Sequence, residues 1–63
     1  MKAATYTAVC ERTERKDEPV RLRNLKSGQT GYTIGCTMEG ETVQVKLDNG
    51  EYDTWLPVDC EEV

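Results

Sequence analysis

Three cysteines, one tryptophan and twenty charged side chains are what this 63-residue chain has to do chemistry with. Histidine is absent, so the commonest metal ligand, general base and pH switch are missing together. Cys10, Cys36 and Cys60 are odd in number and far apart, with no C-x-x-C pair. A disulfide framework needs pairs, and a zinc site needs closer ligand spacing or histidines. The cysteines are therefore expected to be free and buried, acting as small apolar side chains, and no metal or cofactor is expected. Asp59, Glu61 and Glu62 surround Cys60 and disfavour its thiolate. Acids such as Asp53 and Asp59 read as solvated faces rather than an acid/base couple. Without histidine, a phosphate loop or a core large enough to wall a cleft, the chain is not expected to be an enzyme.

The remaining charges are unevenly placed. Residues 1–26 carry seven of the eight cations and four of the twelve acids, and residues 27–63 carry Lys46 with the other eight acids. The acids of the second half are interleaved with strand-forming residues rather than run together. Two halves lying side by side in one sheet would neutralise each other, whereas a polarised surface would select a charged partner.

At this length there is room for one domain, residues 1–63, and 37% apolar residues make its core thin. No apolar run is long enough for a secretory signal or a membrane span, so a cytoplasmic protein without membrane insertion is expected. Thr, Val and Tyr dominate the segments between turn residues, which points to strands. Residues 3–10 alternate, with Tyr6, Ala8 and Cys10 on one side. Residues 11–19 form a charge run that ends in Pro19 and read as a solvated loop. Residues 20–25 alternate again, with Val20 and Leu22 on one face and Arg21 and Arg23 on the other.

Two glycine turns then set registers that must agree. A two-residue loop at Glu39 and Gly40 pairs Cys36 with Val43, Ile34 with Val45 and Tyr32 with Leu47. A two-residue loop at Asn49 and Gly50 pairs Leu47 with Tyr52, Val45 with Thr54 and Val43 with Leu56. Both turns put Val43, Val45 and Leu47 on the apolar face of a three-stranded meander. The other face then carries Thr33, Gly35 and Thr37, then Thr42, Gln44 and Lys46, and finally Asp53 and Trp55, with Lys46 opposite Asp53.

An exposed tryptophan needs a reason, and three compete. Trp55 covers the bare spot at Gly35; or it is a contact residue on a binding face; or the turn is a three-residue loop, 48–50, that shifts pairing by one and sends Trp55 inward. That shift would also carry Glu51 and Asp53 to the core side. Beyond Trp55, Pro57 ends the strand, residues 57–60 suit one turn of 3₁₀ helix, and the last residues suit a short closing strand.

The run Leu25-Lys26-Ser27-Gly28-Gln29-Thr30-Gly31-Tyr32, the hairpin from Val43 to Leu56 with its Asp-Asn-Gly turn, and the ending Trp55-Leu56-Pro57-Val58 resemble an SH3-like barrel. The resemblance implies an all-β fold, a small five-stranded barrel with a C-terminal 3₁₀ turn. Residues 28–32 are also similar to the KOW type of SH3-like domain, found in ribosome and transcription proteins, and to bacterial ferrous-transport accessory domains. The peptide-binding SH3 family differs, with paired tryptophans and an acidic loop where this chain has one Trp and mixed charge.

The expected function is that of a non-enzymatic protein-binding module or accessory subunit, monomeric or weakly dimeric. Contact is expected through Trp55, Gln44, Asp53, Arg21 and Arg23 on the outer sheet face, together with the loop at 11–19. The rival expectation is a nucleic-acid or ribosome contact through Arg12, Arg15, Lys16, Arg21, Arg23 and Lys26, against which stands a pI near 4.6.

Overall fold

The computed structural model describes residues 1–37, 39 and 41–63. One helix, α1 (Ala3–Glu14), precedes five strands: β1 (Arg21–Asn24), β2 (Thr30–Thr37), β3 (Thr42–Leu47), β4 (Tyr52–Trp55) and β5 (Cys60–Glu62). A 3₁₀ turn, Pro57–Asp59, separates the last two strands. The strands form one antiparallel sheet in the order β4-β3-β2-β1-β5, which is not closed. The 3₁₀ turn, the final strand and the burial of Val20 and Leu22 agree with the sequence reading.

The helix corrects that reading, which had residues 3–10 as a strand and 11–19 wholly as loop. Tyr6, Val9 and Cys10 are its buried residues, spaced three and one apart along a single helical face. The β-branched content that suggested a strand is accommodated within the helix: the Thr7 and Thr13 hydroxyls donate to the carbonyls of Ala3 and Val9, four residues back. No side chain caps the N-terminal end; ahead of it the nitrogen of Met1 donates to the carbonyls of Pro57 and Cys60. Arg15 closes it, and residues 16–20 carry the chain to β1, with Asp17 at a positive φ of 51°.

The registers differ from expectation in two places. Cys36 does pair with Val43, but a bulge between Thr33 and Gly35 then slips the ladder, so Thr33 pairs with Val45 and Tyr32 with Lys46. Thr33 therefore turns inward and Ile34 outward. The buried Thr33 hydroxyl is shared with Thr13 at 2.6 Å and accepts the Val20 N–H at 2.9 Å, so no polar group is stranded. The expected turn at Glu39 and Gly40 falls on Gly40, outside the described residues.

At the second turn the three-residue loop is the one adopted: Lys46 pairs with Tyr52, Val45 with Asp53 and Val43 with Trp55. Trp55 is thus in the core at 4% exposure, which corrects its placement on the outer face. Asp53 shares its side of the sheet yet stays wet, because β4 is an edge strand. From there its carboxylate accepts the indole N–H at 3.0 Å. Lys46 accordingly does not face Asp53.

The core lies between α1 and one face of the sheet, with Leu22, Val43, Val45, Val9 and Val20 almost fully buried. Gly31 lets β2 and β3 approach: a Cβ there would stand 2.6 Å from the Lys46 carbonyl oxygen. Cys10 and Cys36 are joined in a disulfide across a separation of 26 residues, tying α1 to β2 and correcting the expectation of free thiols; Cys60 alone is free. The helix and strand place these two sulfurs together, a juxtaposition invisible while residues 3–10 read as a strand.

Candidate functional site

The face of the sheet turned away from α1 is built from alternating positions of four strands. Arg21, Tyr32, Lys46 and Tyr52 are successive partners across β1, β2, β3 and β4, so they form one row. The Arg21 guanidinium lies 5.3 Å from the Tyr32 ring centre and the Lys46 ammonium 5.8 Å from that of Tyr52. Beside this row runs a second, Gly35, Gln44 and Thr54, with Gln44 lying against the bare position of Gly35. Ile34, pushed outward by the bulge, completes the surface.

Tyr32, Ile34 and Tyr52 are 46, 50 and 68% exposed, a large apolar exposure for a chain this short. A shallow depression of about 430 Å³ is bounded by Ile34, Gln44, Tyr52, Asp53 and Thr54. A second groove, about 450 Å³, lies between α1 and the 3₁₀ turn, edged by Met1, Tyr6, Leu56 and Val58. The side chains of the sheet face stand on hydrogen-bonded strands, which fix their spacing.

Charge around the outer row is partly tied down. Arg21 bonds Asp48 at 2.9 Å and Thr30 at 3.1 Å, and the Thr30 hydroxyl donates to Asp48. That hydroxyl, and after it Arg21, hold the Asp48 carboxyl below the usual carboxylate range. Arg23 and Lys46 are exposed and have no carboxylate partner among the described residues.

Of the residues expected at the site, Arg21, Arg23 and Gln44 stand on this face, Asp53 stands at its edge, and Trp55 is on the other side of the sheet. Three of the cations expected to meet nucleic acid are paired with acids. Arg12 pairs with Glu62, Lys26 with Asp59 and Arg21 with Asp48, while Arg15 and Lys16 follow the end of α1. Each of these ion pairs joins the basic first half to the acidic second half, the neutralising arrangement that the charge split allowed. Burial pushes the Cys60 thiol up, so it is a poor nucleophile.

No family model, curated protein or solved structure matches the chain.

Sequence reasoning missed Tyr32, Ile34 and Tyr52, all three of which the two-residue turns had turned toward the core. The available signal was the three-residue loop: it moves Tyr52 out at the same stroke as it moves Trp55 in. The bulge that exposes Tyr32 and Ile34 was marked only by Gly35, a glycine inside a strand. Among the described residues no helix is long and apolar enough to cross a membrane.

Proposed function

We propose that this chain is a non-enzymatic protein-binding module whose contact surface is the outer sheet face centred on Tyr32, Ile34 and Tyr52, with Gln44 and Thr54 as polar neighbours. The single observation that carries the reading is the exposure of these three large side chains side by side on rigid strands. Aromatic anchors ringed by polar groups are the usual centre of an interaction patch. Arg23 and Lys46, both without a carboxylate partner among the described residues, give the partner its chemistry: an extended segment with apolar or aromatic anchors and acidic flanks.

We further propose an SH3-like architecture for the domain, with its sheet left open. In support stand the strand order with β1 between β2 and β5, the 3₁₀ turn before β5, and the single bulge in β2. The N-terminal helix is an addition to that pattern. The rival nucleic-acid reading is weaker on charge: three of its six cations are bound to acids, and the chain carries a net charge of -4.

Selection from a random peptide display library tests the proposal. The intact domain should enrich acidic sequences with aromatic or aliphatic anchors, and the double variant Tyr32→Ala/Tyr52→Ala should lose them while keeping its fold by circular dichroism. Failure to enrich any sequence, or peptides that bind the double variant equally well, would reject it.

A further inference from the structure

Helical geometry places Cys10 and Glu14, four residues apart, on the same side of α1, and β2 brings Cys36 up to them. The two sulfurs and a Glu14 carboxylate oxygen lie within 4.8 Å of one another. Glu14 is exposed and has no cationic partner among the described residues. A lone carboxylate set against two sulfurs adds nothing to a disulfide, but it is a sensible third ligand for a thiophilic cation.

We propose that, once the Cys10–Cys36 bond is reduced, Cys10, Cys36 and Glu14 form a site for one thiophilic divalent cation of the zinc type. Reduction by a dithiol transfers two electrons and two protons: the S–S bond becomes two thiols and the dithiol closes to its own disulfide. The cation then binds both thiolates, and the two thiol protons go to solvent. Tetrahedral zinc, with bonds of about 2.0–2.3 Å, holds ligand atoms about 3.3–3.8 Å apart, a spacing that thiolates on Cα atoms 5.8 Å apart reach by side-chain rotation. Cys36 is half-buried and Glu14 exposed, so the fourth position opens to water or to a ligand from another molecule. Disulfide and metal are alternative clasps for the same seam: either keeps α1 on the sheet, and neither coexists with the other. This inference is independent of the outer sheet face.

Cobalt supplies the test. Protein reduced with dithiothreitol and desalted without oxygen is titrated with Co²⁺, and the thiolate-to-cobalt charge-transfer band in the near ultraviolet is followed. The expected result is one Co²⁺ per chain in the reduced protein, none in the oxidised protein, and displacement of Co²⁺ by Zn²⁺. Cys60→Ser should leave the titration unchanged, Cys36→Ser should remove the band, and Glu14→Gln should weaken binding about tenfold or more. Glu14 is exposed, so its variant keeps the fold, and circular dichroism of each sample confirms it. A reduced protein without the band, a band that survives Cys36→Ser, or a Glu14→Gln affinity equal to wild type would each overturn the proposal.

Discussion

The two faces of the sheet divide the work between them. On the inner face Trp55, Val43, Val45 and Leu22 meet Tyr6 and Val9 of α1, and a disulfide pins the helix to β2. On the outer face Tyr32, Ile34 and Tyr52 stay largely exposed, with only the cations of Arg21 and Lys46 over the two phenol rings, although they alternate along the same strands. In a chain with a thin core the indole and one phenol, Trp55 and Tyr6, hold the fold, and the other two phenols, Tyr32 and Tyr52, are left to face outward.

Substituting across the contrast should break it most visibly. Trp55→Ala removes the largest inner side chain and should cost about 3–5 kcal/mol, enough to unfold most of a domain of this size. Tyr52→Ala, removed from the outer face of the same strand, should change stability by about 0.5 kcal/mol or less. Urea unfolding of the two variants measures the difference, and equal losses would mean that the faces are not distinct.

The disulfide comes next. Cross-linking across 26 residues restricts the unfolded chain by about 3.5 kcal/mol, so metal-free reduction should lower stability by that order. Thermal unfolding with and without dithiothreitol, in the presence of a chelator, reads the loss. Gly31→Ala should cost less, about 1–3 kcal/mol, because the new methyl meets the Lys46 carbonyl and strands β2 and β3 must part.

The smallest effect belongs to the outer rim. Asp48 titrates below the usual carboxylate range, so its contribution is present above that range and is lost as pH falls through its lowered folded value. Acid unfolding of Asp48→Asn should therefore show a shallower pH dependence than wild type, an outcome that Thr30→Val should reproduce in part.

Much of this arrangement was legible in the residues themselves. Val20 and Leu22 on one face of a strand, Pro57 opening a 3₁₀ turn and a closing strand at Cys60 followed from alternation and from proline chemistry. The helix did not, because Thr5, Thr7, Val9 and Thr13 carry strand propensity locally, and only packing of Tyr6, Val9 and Cys10 against the sheet tips the balance. The site was half legible for a related reason. Gln44, Arg21 and Arg23 stand on the outer face as alternation implied, but one residue of register at residues 48–50 exchanged Trp55 for Tyr52 there. The objection to that register was the burial of Glu51 and Asp53, both of which are exposed. An edge strand removes the objection, since a carboxylate can point to the core side and still reach water.

The most direct test follows amide and side-chain shifts by nuclear magnetic resonance as an enriched acidic-aromatic peptide is added to the oxidised domain. The shifts are expected to concentrate at Tyr32, Ile34, Gln44, Lys46 and Tyr52, with the Trp55 indole unmoved. Shifts gathered instead on α1 or along the groove at Leu56 and Val58 would contradict it.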